Sequence, residues 1–136
     1  MEGKPTWLAV VAAAIRDGEG RLLLQQALPG KRHAMLWEFP GGKVESEENP
    51  RLALSREVRE ELGLTLDPGV MSPLAFADEA GSGGSPGIVL FLYDCPLWEG
   101  EPAALERQAF GWFAHAEASR LPLAPMDRVL LETLAR

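Results

Sequence analysis

The chain has one cysteine, Cys95, so no disulfide can form within it, and the apolar run around that residue reads as the setting of a buried thiol. A reducing compartment fits that usage. Positive charge is also short: 13 Lys and Arg stand against 20 Asp and Glu, for a formal net charge of -7 over 136 residues. That balance argues against a nucleic-acid polymer as partner, because such binding rests mainly on basic side chains neutralising phosphates. An acidic pocket that carries metal and takes a small anionic ligand remains compatible. No stretch approaches the roughly eighteen apolar residues of a membrane-spanning helix, and MEGKPTW has no long apolar segment preceded by basic residues. The expectation is a soluble, cytoplasmic protein without a membrane partner. Internal repeats are absent, and the only low-complexity stretch is the glycine and serine run from Gly81 to Gly87. At this length the chain is expected to form one domain over residues 1–136, large enough to bury a proper core.

What is present is concentrated between Gly41 and Leu64, GGKVESEENPRLALSREVREELGL. The second half of this stretch reads as a helix with Asn49 as N-cap, Pro50 at the first helical position and Gly63 as a left-handed C-terminal cap. Leu54, Val58 and Leu62 recur at i, i+4 and i+8 and should dock the helix on a core. Beside them Glu57, Glu60 and Glu61 fall at i, i+3 and i+4, within reach of a common point. Like charges at that spacing repel one another, and hard divalent cations are the partners that carboxylate oxygens prefer. An ordinary solvated acidic helix is the plain alternative.

Written as a pattern, the stretch is G-x5-E-x7-R-E-U-x-E-E-x-G-U, filled by Gly42, Glu48, Arg56, Glu57, Val58, Glu60, Glu61, Gly63 and Leu64, with U a bulky apolar residue. This is the Nudix box, and the chain resembles the Nudix hydrolases, which split a nucleoside diphosphate linked to another moiety. The flank WEFPGGKVE resembles the MutT-type branch in particular, whose members hydrolyse nucleoside triphosphates, oxidised ones included, to a monophosphate and pyrophosphate. The resemblance is strict from Glu38 to Leu64 and looser over the rest of the chain.

Several roles follow from the resemblance. Glu57, Glu60 and Glu61, with the backbone carbonyl of Gly41, would hold Mg2+, for which Mn2+ could substitute. Glu57 would also be a candidate general base, Arg56 would orient a box carboxylate by pairing, and Glu48 would bond within the loop and helix or bind an outer metal. Glu38 and Phe39 would border the base pocket, with Gly42 close to the substrate. Counting on from WEGEP (Trp98–Pro102), Glu106 falls where the branch places a further acid near the metals, with a surface glutamate as the alternative. Asp127 falls where the branch carries an Asn or Asp that hydrogen-bonds the base, although capping of a helix N-terminus would also suit it. One departure stands out. Where the branch often has arginines on the second strand, this chain has Gln25 and Gln26, which can read a base or ribose but cannot neutralise phosphate. Gln26 is kept as a substrate contact, and Lys31 or Arg32 could supply the missing charge.

The remaining elements are read from pattern. Trp7–Ile15, the turn signal Asp17–Gly20 and Arg21–Gln26 suggest a strand, turn, strand unit, although Ala12–Ala14 would also suit a helix. Ala27–Met35, with Lys31, Arg32 and His33, reads as a loop, either solvated or facing phosphate. Pro40, Gly41 and Gly42 should make a sharp turn, and of Trp37 and Phe39 at least one should pack in the core. Val70–Ala77 suggests a strand interrupted at Pro73, the run Gly81–Gly87 a mobile loop at a hairpin end, and Ile88–Cys95 a central strand. Phe110–Phe113 reads as a short strand, Ala114–Arg120 as a loop or helical turn, and Pro125–Leu134 as an amphipathic terminal helix.

The implied fold is α/β, a Nudix-type α/β/α sandwich with a mixed central sheet, the box helix on one face and the C-terminal helix on the other. The implied reaction is water attack on a phosphorus of a nucleoside triphosphate. Rival readings are a nucleotide sugar or dinucleoside polyphosphate as substrate, or a module that binds nucleotide without cleaving it. A monomer or a homodimer is expected.

Overall fold

The computed structural model describes residues 7–134, so the expectation about MEGKPTW lies, Trp7 apart, outside the described residues. The first strand, β1 (Trp7–Ala14), shows why its sequence carries no alternation. Val11 and Ala13, with Ile15 just beyond, pack with Leu54, Val58 and Leu62, whereas Ala12 and Ala14 pack with Met126, Leu130 and Leu131. Successive side chains of a strand point to opposite faces, and from Val11 to Ala14 both faces are covered by a helix, so each of these positions is apolar and buried. The alanines that could have suited a helix therefore lie in a strand.

Strand β2 (Leu22–Gln26) follows the same rule, with Leu22 and Leu24 in one layer and Leu23 in the other. The expected hairpin between these two strands is only partly present. Arg16 bridges Leu22, and the Leu23 N–H donates to the Ile15 carbonyl at 3.0 Å. Beyond that point the strands diverge into different sheets, because β1 finds a partner along its whole length in the parallel strand β7 (Gly87–Asp94). Next in the chain come β3 (Trp37–Glu38) and β4 (Gly41–Lys43). Instead of the sharp turn expected at Pro40–Gly42, the chain bends at Pro40 and the two glycines run straight on as β4, antiparallel to β1.

Helix α1 (Pro50–Leu62) has the predicted ends. The Asn49 side chain accepts from the Arg51 N–H at 2.8 Å and the Leu52 N–H at 3.4 Å, and Gly63 closes the helix at φ 74°, its N–H donating to the Arg59 carbonyl. After β5 (Thr65–Leu66) and a single 3-10 turn at Pro68–Val70 comes β6 (Ser72–Glu79), whose register slips between Pro73 and Ala75. The expected interruption at Pro73 is thus a bulge, and the glycine and serine run closes the hairpin into β7. The chain ends with β8 (Trp98–Glu99), β9 (Phe110–Phe113), the short α2 (His115–Ala118) and α3 (Pro125–Thr133). Cys95, directly after β7, is buried as expected, and burial together with Asp94 pushes its thiol up to about 12.

The strand order β4-β1-β7-β6 is a mixed sheet, parallel only between β1 and β7. A second, antiparallel sheet runs β3-β2-β9, and β5 pairs with β8. One core lies between the sheets and α1, the other between the sheets and α3. This is the expected α/β/α sandwich with the box helix and the C-terminal helix on opposite faces. In α3 the apolar face is narrower than the sequence pattern implied, since Val129 is 49% exposed.

Candidate active site

The two sheets splay apart beyond the β1–β2 turn, and between them opens a cleft of about 630 Å3. Its acidic end is built by α1, which presents Glu57 and Glu61 over β4. Gly42 makes that approach feasible. A Cβ there would stand 1.7 Å from Glu57 Oε2, so any side chain would displace the carboxylate. At Gly41 a Cβ would strike the Val11 carbonyl oxygen at 1.9 Å, so this glycine lets β4 lie against β1. The Gly41 N–H donates to Glu61 Oε1 at 3.2 Å.

The third residue of the carboxylate triplet is placed differently. Residues 57 and 61 are one helical turn apart, whereas residue 60 lies a further 100° round the helix from residue 61. Glu60 is accordingly outside the cleft lining and its side chain is 53% exposed. Arg56 is likewise outside the lining and binds three acids: Nη1 donates to Glu57 Oε1 at 2.7 Å and to Glu60 Oε1 at 3.2 Å, while Nε and Nη2 grip the Glu48 oxygens at 2.8 and 2.9 Å. The pairing holds the Glu48 carboxyl down at about 2. Glu48 Oε1 also accepts from the Glu45 N–H, so Arg56 and Glu48 brace the loop before α1 against the helix.

Among the described residues no three His, Cys, Asp or Glu side chains are gathered closely enough to ligate one ion. Even so, the chemistry of the donor set suits a hard divalent cation, being oxygen throughout. The charge balance points the same way. Burial, followed by the neighbouring Glu57 and Glu106, pushes the Glu61 carboxyl up to about 8 despite hydrogen bonds from Gln25 and Gly41. Burial also raises Glu57, with Glu60 and Glu106 adding to the rise and the Arg56 contact only partly offsetting it. Burial and mutual repulsion make this end of the cleft a costly place for ionised carboxylates, and Arg56 offsets only part of that cost.

Glu106 comes from the loop between β8 and β9, as the sequence counting placed it, and it lines the same end of the cleft. The loop is docked on the C-terminus of α1: the Ala103 N–H donates to the Leu62 carbonyl at 2.9 Å and the Leu105 N–H to the Glu61 carbonyl at 3.2 Å. Carbonyls that the helix leaves unpaired thereby find partners.

At the other end stand Glu38, Phe39, Met126 and Asp127. Asp127 is buried and does not cap α3, whose N-cap is Ala124; its Oδ2 accepts the Phe39 N–H at 2.9 Å and so ties α3 to the segment before β4. Burial pushes Asp127 up to about 7 and Glu38 up to about 8, the latter also raised by Asp127 and lowered by Lys31. Phe39 is buried in the α3-side core, and Trp37 packs edge-on against Phe113 at 5.3 Å.

The basic loop divides its charges. Arg32 Nε and His33 Nε2 each bind Glu79 Oε2 at 2.9 Å, latching the loop to the end of β6; Lys31, Arg32 and His33 all line the cleft, and Lys31 is near enough to Glu38 to lower its carboxyl. The two glutamines also part. Gln25 shares the α1-side face of β2 with Leu23, and its Nε2 donates to Glu61 Oε1 at 2.9 Å; Gln26 points the other way, lines the cleft and donates to the Met35 carbonyl. Gln25 thus lines the cleft while bonded to the acidic helix. Gln108, which the sequence did not single out, joins Gln25 and Glu61. A lone glutamine in a loop carries no sequence signal, and only the fold brings it there.

Comparison with known proteins bears on this geometry. Residues 5–134 match the NUDIX domain family. The chain is 43% identical to the CTP pyrophosphohydrolase of Escherichia coli (strain K12), over 90% of this chain and 87% of that protein. It is 36% identical to the 8-oxo-dGTP diphosphatase of Haemophilus influenzae, over 93% of each. The structure of a MutT NUDIX hydrolase from Burkholderia pseudomallei superposes with a TM-score of 0.83 at 31% identity, covering 95% of this chain and 98% of that one. Nudix hydrolases generally use divalent metal ions. With the box helix, the glycine-lined strand beneath it and the match over nearly the whole sequence in agreement, this chain belongs to the Nudix hydrolases.

Proposed function

We propose that the protein hydrolyses a nucleoside triphosphate, of the oxidised or non-standard kind that must be cleared from the nucleotide pool, to the monophosphate and pyrophosphate. The observation that carries this reading is the polarity of the cleft. Excess carboxylates gather at one end, around Glu57, Glu61 and Glu106, and a mostly apolar end holds the hydrogen-bonding Glu38 and Asp127. The first suits the metal-neutralised phosphates of such a substrate and the second suits its base. Relatives named for CTP and for 8-oxo-dGTP support the substrate class.

In this reading Glu57, Glu61 and the Gly41 carbonyl, with Glu60 beside them on α1, would hold Mg2+, for which Mn2+ could substitute. Bound metal neutralises developing phosphoryl charge and makes water a better nucleophile. Glu57 accepts the proton of the attacking water, and Arg56 keeps that carboxylate oriented through Oε1. Glu106 faces the acids of α1 from the opposite loop. Gln26, Phe39, Glu38 and Asp127 line the nucleoside, Gly42 lies beside the phosphates beneath Glu57, and Lys31 supplies the cleft with the positive charge that the glutamines of β2 do not.

The test is product analysis on normal and oxidised nucleoside triphosphates, nucleotide sugars and dinucleoside polyphosphates, with and without Mg2+, for the parent and Glu57→Gln. The expected result is metal-dependent pyrophosphate release, slowed at least ~100-fold in the variant. Release of two monophosphates from a nucleotide sugar, or of two nucleotides that share the phosphates of a dinucleoside polyphosphate, with triphosphates untouched, would replace this reading.

A further inference from the structure

Two primary amides are buried at the acidic end of the cleft. Gln25 is 4% exposed and Gln108 5%. Gln108 bonds three ways: its Oε1 accepts the Glu106 N–H at 3.0 Å, and its Nε2 donates to the main-chain oxygen of Glu61 at 2.9 Å and to Gln25 Oε1 at 3.0 Å. Gln25 passes the polarity on, its Nε2 donating to Glu61 Oε1 at 2.9 Å. The direction of this chain is fixed at Gln108, because the Glu106 N–H can only donate and the main-chain oxygen of Glu61 can only accept. A neutral primary amide can accept at one end and donate at the other. An Arg or Lys would compete with a metal for Glu61, and an ionised Glu could not donate.

The consequence lies in how Glu61 is presented. Among the described residues, the side-chain hydrogen bonds to its carboxylate fall on Oε1, from Gln25 and from the Gly41 N–H. No buried side-chain nitrogen or oxygen there lacks a partner, so Oε2, which has none, is reached by solvent, and Glu61 lines the cleft. The same Gln108 that starts the chain also grips the backbone of Glu106, the acid on the facing loop.

We infer that Gln25 and Gln108 are positioning residues, a two-amide relay that fixes Glu61 with Oε2 turned into the cleft and holds the Glu106 loop in register with it. The two acids then meet a divalent cation already arranged, without conformational entropy lost at binding. The inference rests on the reading that the cleft takes such a cation.

The experiment is Mn2+ titration of the substrate-free protein, followed by electron paramagnetic resonance. Beside it run steady-state kinetics over a Mg2+ series with the nucleoside triphosphate preferred in the product panel. Parent, Gln25→Met, Gln108→Met and the double variant are compared, since Met keeps volume without the hydrogen bonds. Thermal melts establish that each variant is folded. If Gln108→Met does not fold, Gln108→Asn, which keeps the amide but shortens its reach, replaces it.

The relay predicts a Mn2+ affinity lower by roughly 10-fold or more in each single variant. The Mg2+ needed for half-maximal rate should rise in step, while KM for the nucleotide at saturating metal changes little. The double variant should lose no more than the worse single one, because one broken link already breaks the chain. Folded variants with the parent's Mn2+ affinity, or losses that simply add, would overturn the relay. A parent protein that binds no Mn2+ would overturn the cation reading and the relay with it.

Discussion

Gly41 and Gly42 are neighbours, yet each excludes a side chain for a different reason. A Cβ at Gly41 would meet backbone, the Val11 carbonyl oxygen and Ala12 Cα, which cannot give way without moving β1. At Gly42 the obstacle is Glu57, whose side chain can rotate, but only by leaving its position over β4. Gly41→Ala is therefore expected to destabilise the fold by about 2 kcal/mol or more. Gly42→Ala should melt close to the parent and instead lose roughly 100-fold in kcat, as displacement of a reacting group by about an ångström does. Melting curves and kcat for the pair check this, and two variants with the same balance of losses would contradict it. Arg56 is constrained in a comparable way. One guanidinium binds Glu48, Glu57 and Glu60, a geometry that the ammonium of a lysine could not reproduce.

At the scale of the element, α1 is defined at both ends by residues that do no chemistry. Asn49 caps the first turn and Gly63 turns the chain out of the last, while the loop carrying Glu106 bonds the final carbonyls. The helix is thus held as a rigid carrier for Glu57 and Glu61, with Ala53, Leu54, Val58 and Leu62 buried beneath it. Asn49→Ala should cost ~1 kcal/mol in stability, read by urea denaturation, with kcat at 25 °C near that of the parent. A large loss of kcat with stability intact would mean that Asn49 acts on the site and not on the helix end. Strand β2 shows the complementary case of one element serving two regions, because alternation sends Gln25 to the acids and Gln26 toward the opposite side of the cleft.

Across the whole molecule, stability and the site are linked through buried acids. Asp127 has its carboxyl raised by burial to about 7, well above its ordinary 3.8. Between those values the folded protein holds a proton that the unfolded chain has released, so this residue's contribution to stability falls as pH rises and is lost above about 7. Asp127→Asn cannot ionise and can still accept the Phe39 N–H. The variant should gain on the parent by on the order of 3 kcal/mol between pH 4 and pH 8, measured by denaturant titration at both. Parallel pH profiles would show that Asp127 does not titrate in this way. The tie between Asp127 and Phe39 also joins α3 to the segment that leads into β4, so the two ends of the cleft belong to one packed framework.

The sequence by itself determined the parts whose causes are local. The caps of α1, its apolar stripe and the box spacing depend on residues within a few positions of one another, so the family and the helix could be read directly. Glu106 and Asp127 were reachable through the resemblance, which carries positions but not contacts. Only the tertiary structure decided what depends on residues far apart in the chain. The β1–β2 pair separated because β7, more than seventy residues away, offered β1 a full-length partner. Glu60 left the cleft because Arg56 and solvent hold it outside, Asp127 bonded Phe39 instead of capping α3, and Gln25 met Gln108 across 83 positions. A hydrogen bond between buried side chains leaves no periodicity in the sequence, since each partner is a single polar residue whose role is fixed only when the sheets bring it to the other.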